Sequence, residues 1–234
     1  TKGSGTVFFT NCNLRCVYCQ NYPISQMGNG VVRTPGELAC QMLWLQEQGC
    51  HNLNLVTPTH FVPQILKALG IARERGFALP IVYNTSGYES LETLRLLDGI
   101  VDIYLPDMRY NNNAVAMKYS VAPHYVEINR AAIQEMYRQV GNLELDENGV
   151  AKRGLIIRHL VLPGGLAGSE EIMKFLAGEI TKDVYVSLMS QYFPAFKTGE
   201  FPEIDRRINE QEYDDAYESK MRYGLKNGWV QEFE

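Results

Sequence analysis

The sequence predicts an α/β fold in which repeated βα units build a mainly parallel sheet with the helices outside it. Three observations carry this. Six short runs rich in β-branched and aromatic residues recur along the chain. Segments of helical length separate them. One run, Gly154 to Leu162, is apolar enough to be covered on both faces, as parallel strands usually are.

Gly5 to Thr10 is the first strand and ends at a cluster of cysteines. Thr34-Pro35-Gly36-Glu37 reads as a helix start with proline at the first helical position, and Leu38, Met42 and Leu45 follow at helical spacing until Gly49. Asn52 to Thr57 is the second strand. Phe61 to Arg75 is a helix that tolerates Pro63 in its first turn and stops at Gly76. Pro80 to Asn84, Val101 to Leu105, Gly154 to Leu162 and Val184 to Met189 are the remaining strands. Between them lie a helix over Glu89 to Leu97, a helical region through Val140 broken near Ala122-Pro123, a turn at Asp146 to Gly149, and a helix over Ser169 to Ala177. Pro163-Gly164-Gly165 ends the fifth strand, and one more helix lies around Glu210 to Leu225. Six units rather than eight suggest an open partial barrel, although periodicity alone does not separate it from a doubly wound sheet. Both architectures place active sites at the C-terminal ends of the strands.

The 234 residues suffice for one large core, and no linker-like stretch divides them, so a single domain over 1–234 is expected, with about 191–234 as a C-terminal extension. Hydrophobic residues at 45% against 21% charged exclude a disordered chain or a coiled coil. No apolar run approaches the ~18–20 residues of a membrane-spanning helix. The N-terminus lacks a basic-then-apolar signal pattern, so a cytoplasmic location with no membrane partner is expected. With 22 Lys and Arg against 27 Asp and Glu there is no global attraction to phosphate backbones, and nucleic acid is not an expected partner. The chain begins Thr1-Lys2-Gly3 without methionine, and upstream residues of the natural protein are expected to be missing.

Five cysteines, an odd number, all fall in the first quarter of the chain, which does not suit a disulfide framework. Cys12, Cys16 and Cys19 lie close enough together to wrap one metal centre. A closed zinc site would want a fourth Cys or His nearby, whereas three thiolates on a four-iron cube leave one iron open to a further ligand. Cys40, on a helix beside apolar neighbours, is expected to be a buried thiol.

The spacing C-x3-C-x2-C, with Tyr18 before the last cysteine and directly after the first strand, resembles the motif of the radical S-adenosylmethionine (radical SAM) superfamily. That resemblance implies a partial (β/α)6 barrel of six mainly parallel strands with outer helices and a C-terminal helical extension. It implies a four-iron, four-sulfur cluster on Cys12, Cys16 and Cys19, with S-adenosylmethionine (SAM) chelated at the open iron. The reaction implied is reductive cleavage of SAM to a 5′-deoxyadenosyl radical that abstracts hydrogen. Gly3 to Phe9, Cys19-Gln20-Asn21, Ile157 to Gly164 and Ser190 to Ala195 further resemble proteins named as pyruvate formate-lyase activating enzyme-like. This implies an oxidoreductase that takes its electron from reduced flavodoxin or ferredoxin, with a glycyl radical enzyme as a protein substrate. An iron–sulfur redox or sensor protein without productive SAM cleavage is the alternative.

The resemblance also assigns residues. Tyr18 and Asn21 would lie beside the cofactor, Asn21 having an Asx turn as its other reading. At the end of the second strand, where the superfamily has Gly-Gly-Glu for the SAM amino group, this chain has Thr57-Pro58-Thr59-His60. Thr57 and Thr59 could accept from the ammonium and His60 could substitute, or Thr59-His60 could cap the next helix, but no carboxylate is present there. Asn84 and Thr85 would face the methionyl part of SAM or form a simple turn. Asp107 would address a ribose hydroxyl or a neighbouring cation and Arg109 the carboxylate, with a surface ion pair as the bland reading. Arg158, a charge inside an apolar strand, requires a partner: a SAM oxygen, making it catalytic alongside the cysteines, or a structural salt bridge. His159, on the opposite face of that strand, should be structural. Gln191 and Tyr192 would lie near adenosine. The aromatic segment from Tyr192 through Phe201 either covers the open side of the barrel or lines an entrance, and the acidic helix with Glu212 and Asp215 reads as a solvated face.

Overall fold

A computed structural model describes residues 3–231 and residue 233. β1 (Gly5–Phe8), β2 (Leu53–Val56), β3 (Ile81–Thr85), β4 (Ile103–Pro106), β6 (Ala151–Leu160), β7 (Tyr185–Met189) and β8 (Gly228–Val230) pair side by side in that order, each neighbour parallel to the last. β5 (Glu144–Leu145) pairs only with β6, antiparallel, through the turn at Asp146 to Gly149. The order never reverses. A doubly wound sheet has a reversal where its ligand binds, and continuous winding in one sense is instead the arrangement of a barrel. β1 and β8 are not paired with each other, so the sheet stays open.

Six strands were expected. The two additions are β5 and β8, of two and three residues, too short to show any periodicity. β8 also changes the reading of the C-terminal extension, because the tail returns to the sheet as a strand against β7.

The helices form for the reasons their sequences suggest. α1 (Tyr22–Ser25) is a single turn after the cysteines. α2 (Pro35–Glu47) begins with a capping box: the Thr34 hydroxyl accepts from the Glu37 amide and the Glu37 carboxylate accepts from the Thr34 amide. Its core-facing residues are Leu38, Ala39 and Met42. Cys40 therefore falls off that face and is exposed, against the expectation of burial, with the Arg75 guanidinium beside its sulfur. α3 (Val62–Glu74) and α4 (Leu91–Leu96) follow β2 and β3. α5 (Asn113–Ser120) and α6 (Tyr125–Val140) flank the break at Ala122-Pro123. α7 (Ser169–Phe175) and α8 (Glu210–Arg222) complete the set. Glu212 is less solvated than expected: it caps α8, pairs with Arg206 and accepts from the Gly164 amide.

The two faces of the sheet differ. Toward the helices, Leu53, Leu55, Tyr83, Tyr104, Leu155, Ile157, Val186 and Leu188 form the main core. His159 also lies on this face, fully buried between the Met108 carbonyl and the Ser169 hydroxyl. On the concave face, Val82, Ile103 and Ile156 form a smaller apolar layer with Leu105 packed on it. Side chains two residues further along the same strands share this face: Asn84, Asp107 and Arg158 lie above that layer at the strand ends. A groove of about 550 Å³ runs elsewhere, along the free edge of β1 between Phe8, Leu38 and Trp44.

The turn after β3 depends on Gly87, at φ +71°, packed against Asn129 and the Asp107 backbone. The Asn129 amide donates to both the Gly87 and Asp107 carbonyls, at 3.0 Å each. A Cβ at position 87 would collide with both partners. Gly87→Ala is therefore expected to destabilise the fold by ~2–4 kcal/mol, combining left-handed strain with overpacking. A urea titration checks this, and an unchanged midpoint would contradict it.

Candidate active site

The cysteines occupy an irregular loop between β1 and α1 that crosses the C-terminal ends of the strands. Its backbone polar groups are satisfied from outside. The Arg15 and Val17 amides donate to the Ser120 and Tyr119 carbonyls, each at 2.9 Å, and the Lys197 amide donates back to the Val17 carbonyl. The Asn13 side chain donates to the Tyr88 carbonyl and accepts from the Ser86 hydroxyl.

Each sulfur has a distinct environment. Cys16 is buried, and its sulfur accepts from the Ser120 hydroxyl at 3.0 Å and faces the Arg109 guanidinium at 3.6 Å. Cys12 is half-buried and accepts from the Leu14 amide at 3.4 Å. Cys19, also half-buried, lies 3.0 Å from the Ser25 hydroxyl. Burial pushes the Cys12 thiol up to about 11, partly countered by the Leu14 amide, and burial likewise raises Cys16 against the opposing pull of Arg109. Among the described residues, no three His, Cys, Asp or Glu side chains form a cage for a single metal ion. Donors aimed at sulfur, the raised thiols of Cys12 and Cys16, which need a cation to ionise, and three cysteines on one loop fit a multi-iron cluster held through thiolates.

Beside the loop lies a charged network. Asp107 and Arg158 face each other directly across β4 and β6. The Asp107 Oδ2 atom pairs with Arg109 at 2.5 Å, and Oδ1 lies 3.5 Å from Arg158. Arg158 also donates to the Asn84 Oδ1 atom at 3.1 Å and touches the Met189 sulfur. Within the chain Arg158 thus has a carboxylate and a carboxamide beside it. Two buried atoms here have no hydrogen-bond partner, Asp107 Oδ1 and Arg109 Nε. A ligand with both hydroxyl and carboxylate groups could satisfy them.

The other expected residues take varied places. Tyr18 is buried, its hydroxyl 2.5 Å from that of Tyr110 and its ring against Tyr192. Asn21 is exposed at the start of α1 and makes no side-chain cap bond, so it is not the Asx-type cap. Thr57 takes φ +60°, a strained conformation for a β-branched residue, at the end of β2. Neither Thr59 nor His60 caps α3, because the Thr59 hydroxyl turns to Glu89 and the His60 ring bonds to the Thr10 carbonyl. Thr85 is buried on the helix side rather than beside Asn84. Gln191 is exposed; its side chain contacts Met189 and Gln231, and its carbonyl accepts from Gln20. Tyr192 is buried and donates to the Ile204 carbonyl, and Phe196 stacks on Tyr22, so the aromatic segment packs against the cysteine loop.

Sequence reasoning missed Glu89, Tyr110 and Ser120. Glu89 was placed inside a helix. Instead Ser90 caps α4, and Glu89 precedes it, buried beneath the strand ends. Its carboxylate accepts from Thr59 at 2.6 Å, from Thr85, and from Tyr83 at 3.4 Å. The signal was available in Ser90-x-x-Thr93, where the Thr93 amide donates to the Ser90 hydroxyl.

A family model for the radical SAM superfamily matches residues 6–140. An uncharacterized protein of Methanocaldococcus jannaschii is 32% identical over 232 residues, covering 95% of this chain and 63% of that protein. The chain thus spans less than two thirds of that relative's length. The fold is similar to anSMEcpe with bound AdoMet, at TM-score 0.62 and 10% identity over 97% of this chain and 64% of that one. It is also similar to the FeFe-hydrogenase maturase HydG from Carboxydothermus hydrogenoformans, at TM-score 0.62 and 12% identity over 95% of this chain and 51% of that one. Streptococcus suis SuiB bound to precursor peptide SuiA gives TM-score 0.63 and 8% identity over 97% and 48% of the two chains. These three likenesses are likenesses of fold.

Glu89 makes stability depend on pH. Burial pushes its carboxyl up to about 7, against the lowering effect of Thr59, Thr85 and Tyr83. The folded state therefore holds this proton more tightly than the unfolded state, so the contribution is full below about 4.5 and is lost as pH rises through about 7. Glu89→Gln is expected to remove that loss. His159, depressed by burial, acts in the opposite sense in both proteins and cancels in the comparison. Urea midpoints at pH 5 and pH 8 test this, and an identical pH response in the two proteins would refute it.

Proposed function

The chain belongs to the radical SAM superfamily, and from that premise we propose that it holds a four-iron, four-sulfur cluster through Cys12, Cys16 and Cys19 and binds SAM across the adjoining strand ends. Bound there, the cluster and SAM supply a one-electron cleavage of the sulfonium bond that yields a hydrogen-abstracting 5′-deoxyadenosyl radical. The observation that carries this reading is the half-enclosed network of Asp107, Arg109 and Arg158 next to Cys16, with one carboxylate oxygen and one guanidinium nitrogen that accept and donate no hydrogen bond.

The chain's own groups then divide the work. Asp107 orients both arginines, and its Oδ1 atom, which has no hydrogen bond, accepts from a ribose hydroxyl. Arg109 keeps a cation between Cys16 and the SAM carboxylate. Arg158, held by Asn84, addresses a SAM oxygen from the concave face. Thr57 and Thr59 offer oxygens to the SAM ammonium where the superfamily has a glutamate, and Asn84 borders the methionyl end. Tyr18, Asn21 and Gln191 border the site from the cysteine loop and the last strands, and Thr85 acts from beneath through Glu89. Within this reaction class the resemblance to activating enzymes makes a glycine of a partner protein the first substrate to test, with reduced flavodoxin or ferredoxin as electron donor.

A second reading is an iron–sulfur redox or sensor protein. It is favoured by Thr57-Pro58-Thr59-His60, which offers no carboxylate of its own, and by the engagement of the nearby Glu89 carboxylate with three hydroxyls.

Anaerobically reconstituted, dithionite-reduced protein is expected to give a four-iron paramagnetic resonance signal that shifts with SAM, with 5′-deoxyadenosine released in the same sample. Cys16→Ala should lose the cluster. Arg158→Ala should keep it and weaken SAM binding ~10–100-fold, the loss of a charge-assisted hydrogen bond. A signal indifferent to SAM, with no nucleoside formed, would favour the second reading.

A further inference from the structure

A row of buried hydroxyls leads to the Cys16 sulfur. The Tyr18 hydroxyl lies 2.5 Å from the Tyr110 hydroxyl, which lies 2.6 Å from the Ser120 hydroxyl, which donates at 3.0 Å to the Cys16 sulfur. All four residues are buried; Ser120 is fully enclosed and Tyr110 is 1% exposed. Ser120 is also fixed by its backbone, because it ends α5 and its carbonyl accepts from the Arg15 amide of the cysteine loop. The donor and the sulfur are thus held by the same ladder.

Proton counting gives the row a direction. Each hydroxyl carries one hydrogen, and a cysteine thiolate bound to iron is an acceptor only. With Cys16 as that acceptor, Ser120 donates to sulfur, Tyr110 donates to Ser120 and Tyr18 donates to Tyr110. Each donation strengthens the next in a buried, low-dielectric setting. The other two sulfurs are served differently: Cys12 accepts a backbone amide, and Cys19 faces the Ser25 hydroxyl, which the Gln26 carboxamide backs at 3.3 Å rather than a second buried hydroxyl.

Hydrogen bonds to ligand sulfurs stabilise the more negative oxidation state and so raise the reduction potential of an iron–sulfur centre. We infer that Ser120, backed by Tyr110 and Tyr18, is a positioning residue that raises the reduction potential of the cluster ligated by Cys16 and so eases its acceptance of one electron. The electron comes from a low-potential one-electron donor. No proton is transferred, since the row only polarises toward sulfur. This rests on the cluster proposed above.

The test is a redox titration of anaerobically reconstituted protein with dithionite, followed by paramagnetic resonance, with resonance Raman spectra of the iron–sulfur stretches. Ser120→Ala is expected to retain iron and to lower the midpoint, cutting the ratio of reduced to oxidised cluster at a fixed potential about tenfold, which is ~59 mV for one electron. Tyr110→Phe leaves Ser120 in place and should shift the midpoint less, in the same direction, while Ser120→Thr should restore it. The stretches assigned to the Cys16 ligand should move in Ser120→Ala. A fully loaded Ser120→Ala protein with the wild-type midpoint would overturn the inference. If Ser120→Ala does not fold, a wild-type midpoint in Tyr110→Phe overturns it instead. Wild-type protein that takes up no four-iron cluster would refute the proposed function itself, and a normal cluster with no Ser120 effect would refute only this inference.

Discussion

The candidate site depends on how one irregular segment satisfies its backbone. Residues 14 to 18 alternate inward and outward, with Leu14, Cys16 and Tyr18 buried and Arg15 and Val17 less so. That is a strand-like period without a strand of the main sheet beside it. The Arg15 and Val17 amides instead bond to the last two residues of α5. An extended segment with unpaired amides over a protein core would be unstable, so the end of α5 and the cysteine loop determine each other's position. Asn13 ties the same loop to the turn after β3, and Lys197 ties it to the segment after β7. Cysteines close together in sequence are therefore placed by three distant parts of the chain.

Electrostatics adds a second constraint. Asp107 is one carboxylate facing two guanidinium groups, so the network retains one excess positive charge. Removing charge from water is costly unless it is paired. The arginines remain partly exposed, at 25% and 27% of their side-chain surface, which lets water moderate that excess. An excess cation beside the Cys16 sulfur at the concave end of a parallel sheet suits an anionic ligand. The apolar layer of Val82, Ile103 and Ile156 beneath it closes the floor, so the polar groups converge only at the strand ends.

Much of this was legible in the sequence, and the misses have physical causes. The long apolar run of β6, the capping box at Thr34 and the break at Ala122-Pro123 are local signals, and the structure carries each of them. The sidedness of Arg158 and His159 followed from strand alternation. β5 and β8 are stabilised by neighbours rather than by their own pattern, so no local reading finds them. Cys40 was judged by its apolar neighbours, when the spacing of Leu38 and Met42 already defined a face that excludes it. Ser120 meets Cys16 and Tyr110 meets Tyr18 across about a hundred residues of chain, and sequence distance hides such contacts.

The end of β2 shows how a missing motif residue can be masked by topology. Where a glutamate was absent from the strand end, a carboxylate arrives from the turn after β3, beneath Thr59. When Glu89 is ionised it can only accept, so Thr59, Thr85 and Tyr83 all point their hydrogens toward it. The lone pairs of Thr59 are then the part of that hydroxyl left for other contacts. When Glu89 is protonated it needs an acceptor, and one of the three hydroxyls must rotate to supply a lone pair. Thr59, at the end of β2, is one of the three hydroxyls that can turn with the charge on Glu89. Its neighbour Thr57 is already held at a strained positive φ. A β-branched residue persists there only because its amide is bound to the Asn84 carbonyl and its position is over-determined by the adjoining strand. Strain at Thr57, an acid beneath Thr59 and an arginine on Asn84 thus meet within two neighbouring strand ends, which is where a parallel sheet wound in one direction gathers its functional groups.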